Sequence, residues 1–403
     1  MVHPFPRALG LLVSALVACA GARAQGAADL RFNANAAVLH DSNLFRLGRD
    51  ANALALTGRS SAAETISITG VGVRYDKAYG LQRLEANAGV NKYNYRNFGY
   101  LDFTAINYDL AWRWAVTPRL RGSLTGSRDQ TLNSFVDFQG FNLRNVRSDG
   151  NNRFDATYEF DAHWRLSAGL GQSTRRNSIQ VSQESDYRLV TTSLGVRYVL
   201  ASGSSIGYAL KASDGTYTSN RTVPSPGFFD DRFRQADNDI LLTWAISRDS
   251  SADFRLGQRS RSYPTYGQRD FSGATGAATL NWGLSAKSAL VAGWSRELNT
   301  FETTDFNFTQ TDRFSVGPVW QIGAKTTLRM QMAYATRDFR GTPAGAVSLV
   351  RRDITRDASL SLDWQPVSYL SFNAALQNAR RSSSLAGFDY NSNSINLNAQ
   401  FIY

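Results

Sequence analysis

The segment LSLDWQPVSYLSFNAAL, residues 360–376, alternates apolar and polar side chains on both sides of a turn that contains Pro366. A period of two along the chain indicates strands with one apolar and one polar face. The segment therefore predicts an antiparallel hairpin whose apolar face contacts either a protein core or a lipid bilayer. The apolar positions are Leu360, Leu362, Trp364, Leu370, Phe372, Ala374 and Leu376.

Residues 1–24 have the pattern of a secretory signal peptide. Arg7 precedes an apolar run from Ala8 to Ala20, and Ala22-Arg23-Ala24 forms a small-x-small cleavage site after Ala24. The alternative is lipoprotein processing at Cys19, the only cysteine of the chain. Cleavage after Ala24 removes that cysteine, so the mature part, residues 25–403, is predicted to contain neither disulfides nor reactive thiols.

Composition alone does not decide between a soluble protein and a membrane barrel. The mature part has no run of 18 apolar residues, which excludes helical membrane spans. The mean hydropathy of −0.33 would suit a soluble protein. However, strands that alternate an outward apolar face with an inward polar face also give a low average.

Short turns recur about every forty residues along the chain. A unit of this length fits two strands of ten or more residues, a short turn and a longer opposite loop. The eight turns join nine hairpins and predict an all-β, up-and-down antiparallel barrel of about 18 strands, with both termini on the short-turn side. The turns are DKAYG (76–80), VTPR (116–119), DAHWR (161–165), ASGS (201–204), SRDSS (247–251), SAKS (285–288), GAKT (323–326) and QPVS (365–368).

The opposite connections are longer, polar and rich in Gly, Pro and Asn, as surface loops are. Examples are residues 134–152, 218–231 and 340–352. Short turns on one side and long loops on the other are typical of a transmembrane β-barrel with short periplasmic turns and long extracellular loops.

Aromatic residues mark one level of the predicted barrel. A ring of indoles at one height suits the headgroup region, where one end of the side chain contacts hydrocarbon and the other contacts water. The alternative is that these are ordinary strand residues. The ring predicts a bacterial outer-membrane location, with membrane lipid and lipopolysaccharide as partners. Its members are Trp112, Trp114, Trp164, Tyr198, Trp244, Trp282, Trp320 and Trp364.

The C-terminal segment NSNSINLNAQFIY, residues 391–403, alternates apolar and polar residues and ends on an aromatic. An amphipathic strand here would close the sheet and leave no edge in hydrocarbon. The ending resembles the terminal strand of outer-membrane barrels, which implies the barrel-insertion machinery as a partner.

The inward positions are polar and often charged. A barrel of about 18 strands is too wide for side chains to fill, so a water-filled lumen is expected unless loops plug it. The pore-lining candidates are Arg175, Arg255, Arg259, Arg261, Arg329, Arg337, Arg381, Asp155 and Glu159.

The formal net charge is +11, and only five of the 44 basic residues are lysine. Guanidinium groups in a lumen suit carboxylate, sulfate or phosphate groups of a passing solute. The alternative is that they pair with carboxylates of the wall and with lipopolysaccharide phosphates. Nucleic acid is not expected as a partner, because no basic recognition element accompanies the charge.

No pattern for catalysis or cofactor binding stands out. His40, Asp41 and Ser42 are adjacent on a predicted strand, so their side chains alternate between faces and cannot form a catalytic relay. Neither metal-ligand spacing nor a phosphate-binding glycine loop occurs. The protein is predicted not to be an enzyme and to need no cofactor or metal.

The segment LRFNANAAVLHDSNLFRLGRD, residues 30–50, ends its alternating strand in Asp-Ser-Asn-Leu-Phe-Arg. This start resembles the EpsL-like outer-membrane proteins of exopolysaccharide operons, within a broader group of β-barrel porins. The resemblance implies a role in exopolysaccharide biosynthesis and export, with envelope export components as partners. It assigns no catalytic residues. Asp41, Asn43 and Arg46 are expected to fix the top of the first strand or an adjoining loop.

Three functions are compatible with these observations. The barrel is predicted to be an exopolysaccharide conduit; the alternatives are a general or anion-biased uptake porin and a plugged structural barrel that anchors an export assembly. Inward aromatics do not form a clear ladder for sugars, so the substrate stays open. Loop phenylalanines could form a constriction or a docking patch: Phe135, Phe138, Phe141, Phe228 and Phe229. Residues 222–231 could likewise gate the pore.

Overall fold

Eighteen antiparallel strands form one sheet in the computed structural model of the protein, which describes residues 29–137, 139, 142–218, 229–301, 305–341 and 350–403. The strands are β1 (Leu30–Asp41), β2 (Glu64–Tyr79), β3 (Gln82–Tyr95), β4 (Phe103–Thr117), β5 (Leu120–Leu132), β6 (Val146–Glu159), β7 (Trp164–Asn177), β8 (Tyr187–Val199), β9 (Ser205–Tyr217), β10 (Arg232–Ala245), β11 (Ser250–Ser262), β12 (Phe271–Ser285), β13 (Ser288–Thr300), β14 (Phe308–Gly323), β15 (Thr326–Arg340), β16 (Arg352–Val367), β17 (Leu370–Ser383) and β18 (Tyr390–Ile402).

Short helices occur only in loops of the described part of the chain. They are the α-helix α1 (Ala53–Thr57) and the 3-10 helices Gly99–Leu101, Gln180–Ser185 and Gly267–Arg269. Among the described residues no helix has the length and apolar character needed to cross a membrane.

The sheet closes on itself because β1 pairs with both β2 and β18. The contact with β18 runs from Asn33 opposite Ile402 to Asp41 opposite Ser394. Phe32 and Tyr403 exchange backbone hydrogen bonds of 2.7 and 2.8 Å at the end of this seam. Closure satisfies the backbone groups that an open edge would leave unpaired in hydrocarbon. The predicted 18-stranded antiparallel barrel is confirmed.

All eight short turns are present, but two of them lie later than predicted. The hairpin at DKAYG continues through Asp76, which Arg83 binds across the strands at 2.7 Å, so the turn is at residues 80–81. At QPVS, a bulge between Trp364 and Val367 accommodates Pro366, and the turn is at residues 368–369. A bulge tolerates proline because the regular ladder is already interrupted there.

The outer surface of the barrel is apolar. Leu194, Leu256 and Leu397 expose 58%, 59% and 56% of their surface on outward positions. Large aliphatic side chains exposed in a continuous band around a closed barrel are stable only against hydrocarbon. The predicted location in the bacterial outer membrane is confirmed.

The predicted aromatic ring lies on outward positions close to the short turns. Trp112, Trp164, Trp244, Trp282, Trp320 and Trp364 are exposed, whereas Trp114 and Tyr198 are half-buried. Trp114 stacks on Phe154 at 5.8 Å and covers Gly122, where a Cβ atom would lie 2.4 Å from the indole. Tyr198 packs edge-on against Trp164 at 5.0 Å. An interfacial role of the ring stays a prediction.

Several predicted features fall outside the described residues. These are the signal peptide 1–24 with its cleavage site at Ala24, residues 222–228 of the suggested gate, most of the loop 340–352, and Phe138, Phe141 and Phe228.

Candidate functional site: the lumen and its constriction

The nine pore-lining candidates lie on inward positions of the strands. Leu241 and Ala277 lie directly opposite Arg255 on the two neighbouring strands, so these three side chains share the inward face. Leu256 and Trp244 lie on the outward face. The same alternation places Arg175, Arg259, Arg261, Arg329, Arg337, Arg381, Asp155 and Glu159 inward. Whether a solute contacts them stays a prediction.

Most of these arginines are paired with carboxylates of the wall. Arg175 binds Asp149 at 2.9 Å, and Arg259 binds Asp237 at 2.6 Å. The remaining pairs are Arg255 with Asp239, Arg329 with Asp363, Arg153 with Asp155, and Arg121 and Arg165 with Glu159. Paired charges keep the wall wet while largely cancelling its net charge. This is the alternative that the sequence left open, so any anion preference must come from other residues.

Arg261 differs from its neighbours on β11. It donates to the amide oxygen of Gln235 at 2.7 and 3.2 Å, and its guanidinium lies 3.9 Å from the ring centroid of Phe233. No carboxylate pairs with it among the residues that the structure describes. Arg261 is therefore a luminal cation near the extracellular end whose positive charge is not neutralised by a paired carboxylate of the described residues.

The described residues of the loop between β5 and β6, 133–137, 139 and 142–145, include side chains that reach across the barrel instead of covering its outer rim. Asp137 accepts hydrogen bonds from Arg337 at 3.0 Å and from Arg381 at 3.4 Å, and the carbonyl of Val136 accepts from Arg381 at 2.7 Å. Because β15 lies nine strands from β6 in either direction around the ring, these contacts span the lumen. The loop narrows the channel near its extracellular mouth.

The wall that receives the loop is built from alternating guanidinium and aromatic groups. Arg351 lies between the rings of Phe339 and Phe388, at 4.0 and 3.7 Å, and forms a buried two-point ion pair with Asp353. Such stacking holds each guanidinium rigidly. In spatial order the series is Phe301, Arg337, Phe339, Arg351, Phe388, Arg381, Tyr390 and Arg46.

The N-terminal motif Asp41, Asn43 and Arg46 organises the first loop beside this wall. Arg46 pairs with Asp41 at 2.8 Å, and the side chain of Asn43 both donates to and accepts from the backbone of Leu47 at 2.9 Å. Arg46 has a φ of 56°, a left-handed conformation that needs such support. The amide of Gln139 in the crossing loop donates to the carbonyl of Arg46, which links the motif to the constriction.

Phe135 has a packing role at the base of the crossing loop. Its ring lies 4.7 Å from that of Phe45, which in turn contacts Phe98 at 4.8 Å. All three are buried. Phe229 lies elsewhere, with the guanidinium of Arg269 4.0 Å from its ring. The apolar cluster anchors the loop at one side while the arginines hold it at the other.

A polar cavity of about 460 Å³ opens toward the lumen between β1 and β5. Arg31 and Arg74 stand directly opposite each other on its wall and are exposed. Neither forms an ion pair within 4 Å among the described residues, although Asp76 interacts electrostatically with both. Like charges facing each other across two strands are unfavourable unless an anion lies between them. The other polar lining residues include Asn33, Asn87, Asn91, Asn107, Asp109, Asp129 and Gln400.

Neither Asp137 nor the Arg31–Arg74 pair was predicted from the sequence. Arg31 was detectable, because Arg31, Asn33 and Asn35 alternate with Phe32, Ala34 and Ala36. Asp137 was not, since nothing local indicates that its loop turns inward.

A hydrogen bond between an aspartate and the backbone that recurs in four loops was also not predicted. An aspartate directly before an aromatic residue that begins a strand accepts the backbone N–H of the last residue of the previous strand or of the residue just after it. Asp102 accepts from Tyr95 at 2.7 Å and Asp270 from Tyr263 at 2.8 Å. The same holds for Asp186 with Asn177 and for Asp389 with Ser383. The signal was visible as Asp-Phe or Asp-Tyr pairs at 102–103, 186–187, 270–271 and 389–390.

Comparison with known proteins places the barrel among porins by fold. A family model described as Putative beta-barrel porin 2 matches residues 245–402, less than half of the chain. None of the curated proteins matches it.

Solved structures that resemble the chain include outer-membrane proteins of Pseudomonas aeruginosa. OpdK superposes with a TM-score of 0.54 at 11% identity, covering 93% of this chain and 99% of OpdK. OpdK with vanillate gives 0.52 at 11% identity, over 93% and 99% of the two chains. OccK2 (OpdF) in complex with glucuronate gives 0.51 at 12% identity, over 93% and 96%. Nothing in these likenesses involves exopolysaccharide, so that part of the expectation remains without support. The chain is an outer-membrane β-barrel with a porin fold.

Proposed function

We propose that this barrel is a passive uptake channel for small water-soluble solutes, and that solutes bearing a carboxylate are favoured. The observation that carries the proposal is that Arg337 and Arg381 hold Asp137, in the described part of the loop between β5 and β6, across the lumen. A loop fixed across the lumen obstructs a polymer more than it obstructs small molecules. It therefore favours the uptake alternative over an exopolysaccharide conduit.

The preference for carboxylates rests on the Arg31–Arg74 pair. These two cations face the lumen and form no ion pair with a carboxylate of the described residues. The cavity around them is lined mainly by asparagines, together with Asp109 and Asp129. Guanidinium groups bind carboxylates with two parallel hydrogen bonds. Vanillate and glucuronate, with which the structures of OpdK and OccK2 were determined, both carry a carboxylate. That parallel supports the same class of solute for this chain.

Reconstitution into planar bilayers and liposomes tests the proposal. The wild-type channel should show a reversal potential that favours chloride in a potassium chloride gradient. It should also admit glucuronate faster than glucose in a swelling assay. The R31Q/R74Q variant should lose most of this difference and keep its conductance. The R176Q/R188Q variant removes the same charge from the outer face and should behave as wild type. A wild-type channel that prefers potassium, or one that conducts no ions, would refute the proposal.

A further inference from the structure

The positive charge of the protein is concentrated on the outer face near the extracellular rim. The luminal wall is largely neutralised by its ion pairs, whereas on outward positions arginines prevail over acids. The acids there are Asp214, Asp312 and Asp338. The arginines are Arg128, Arg176, Arg188, Arg232, Arg234, Arg296, Arg340, Arg352, Arg356 and Arg380.

Arg356 and Arg380 form the centre of one patch within this rim. They stand directly opposite each other on β16 and β17, and both are exposed. The guanidinium of Arg356 lies 5.9 Å from the ring centroid of Tyr334, whereas no carboxylate within the described ranges pairs with either arginine. Two cations at directly opposed positions of an antiparallel pair repel each other. The arrangement is stable when an anion bridges them.

Asparagine side chains extend the patch on the neighbouring strand. Asn391 lies opposite Arg380 and Asn393 opposite Asn378, so all three share the outward face with the arginines. Asn378 donates to the side-chain oxygens of Asn391 at 3.1 Å and of Asn393 at 2.7 Å. Because their side-chain oxygens accept these bonds, the amide N–H groups of Asn391 and Asn393 are available to other acceptors. Amides beside a guanidinium pair suit the hydroxyl and phosphate oxygens of a phosphorylated sugar.

The height of the patch identifies the class of ligand. Arg356 lies eight residues along β16 from Trp364 in the aromatic ring, with Ala358, Leu360 and Leu362 between them on the same face. At about 3.3 Å per residue and a tilt of about 40°, the vertical separation is ~20 Å. The apolar band of such barrels is about 25 Å tall. The backbone of Arg356 therefore lies about 5 Å inside the upper edge of the band. A long arginine side chain can reach from there to the headgroups of the outer leaflet, which consists of lipopolysaccharide in bacterial outer membranes.

We infer that Arg356 and Arg380, with Asn378, Asn391 and Asn393, form a binding site for a phosphate group on the lipid A portion of lipopolysaccharide. A phosphomonoester carries a charge of about −1.5 to −2 at neutral pH, which matches two guanidinium groups. Bidentate contacts from both arginines supply the affinity. The site lies outside the lumen and does not depend on what the channel conducts.

Binding of diphosphoryl lipid A to the full-length protein in detergent micelles, measured by native mass spectrometry, tests this site. The R356Q/R380Q variant should bind about tenfold to a hundredfold more weakly than wild type, because it loses charge-assisted hydrogen bonds. The R356K/R380K variant keeps the charge but loses the fork, and should be intermediate. The control R119Q/R248Q removes two exposed arginines from the periplasmic turns and should match wild type.

Two further probes separate the lipid from a free anion. Dephosphorylated lipid A should bind wild type as weakly as diphosphoryl lipid A binds R356Q/R380Q. Inorganic phosphate should not displace diphosphoryl lipid A at equal concentration. Equal affinity of wild type and R356Q/R380Q for diphosphoryl lipid A would overturn the inference, as would full displacement by phosphate. If the double variant does not fold, as judged by heat-dependent gel mobility, R356Q and R380Q are measured singly against the same criterion.

Discussion

The guanidinium of Arg337 donates to both carboxylate oxygens of Asp137 at 3.0 Å, although 200 residues separate them in the chain. This contact joins one wall of the barrel to a loop that starts from the opposite wall. The half-buried position of both side chains, which expose 25% and 24% of their surface, strengthens the pair relative to a surface ion pair. A small number of hydrogen bonds from Arg337 and Arg381 therefore holds this side of the loop across the lumen.

Replacement of Arg337 by Gln should release the crossing loop. We expect a higher and noisier single-channel conductance in planar bilayers, since Asp137 retains only the longer contact with Arg381. R329Q serves as the control, because it removes one luminal arginine at a different height. Equal changes in R337Q and R329Q would indicate an effect of charge alone and would contradict the role of the loop.

Glu64 supports the loop between β3 and β4. Its carboxylate is fully buried and accepts the N–H groups of Asn97 at 3.0 Å and Phe98 at 2.7 Å. Glu64→Ala leaves these donors unsatisfied, at a cost of about 1–3 kcal/mol each. We expect faster tryptic cleavage after Arg96 in intact micelles.

Asp230 offers the matched control for that variant. It accepts the N–H groups of Thr265 at 3.1 Å and Tyr266 at 2.8 Å in the loop between β11 and β12. Asp230→Ala should leave cleavage after Arg96 unchanged. Similar acceleration in both variants would mean that the loops unfold together rather than separately.

Gly215 provides space for an aromatic ring inside the barrel. A Cβ atom at this position would lie 2.1–2.4 Å from the ring of Phe233, which packs with Tyr217 and supports Arg261. Gly215→Ala should lower barrel stability by about 1–3 kcal/mol, as overpacking does. Gly323→Ala is the control, since nothing lies within 4 Å of that position. Thermal unfolding in detergent measures both, and an unchanged midpoint in Gly215→Ala would disprove the steric explanation.

The pKa values of two aspartates in connecting segments are shifted in opposite directions. In the turn 160–163, backbone N–H groups of Trp164 and His163 donate to Asp161 and lower its pKa below the usual 3.8. Asp161 therefore stabilises the turn above its unfolded-state pKa, and this contribution is lost as the pH falls through the lowered folded value. In the loop 178–186, burial raises the pKa of Asp186, against the hydrogen bonds from Asn177.

Protonation of Asp186 consequently favours the folded loop. The ionised carboxylate is better solvated in the unfolded chain than in the folded loop. The contribution of Asp186 to the free energy of unfolding therefore falls as the pH rises through its raised folded-state pKa. Carboxyl resonances of the folded protein in micelles, followed from pH 2 to 7, report both groups. Titration of Asp161 above Asp186 would contradict the assignment of these two environments.

The sequence by itself determined the barrel, because the signal is local. Leu360, Leu362 and Trp364 alternate with polar residues, and a period of two fixes which face each side chain takes once a strand exists. The turn spacing and the inward positions of Arg255, Arg259 and Arg261 follow from the same rule. The exact turn at Pro366 did not, since a bulge shifts the register at that point.

Only the tertiary structure decided what the inward residues do. The pairing of Arg259 with Asp237 depends on the register between two strands, and that of Asp137 with Arg337 depends on a loop that crosses the closed ring. The outward arginines Arg356 and Arg380 become neighbours only when β16 and β17 are aligned. Charge along a chain gives the number of cations, but the net field at any place depends on which opposite charges the fold brings within a few ångströms.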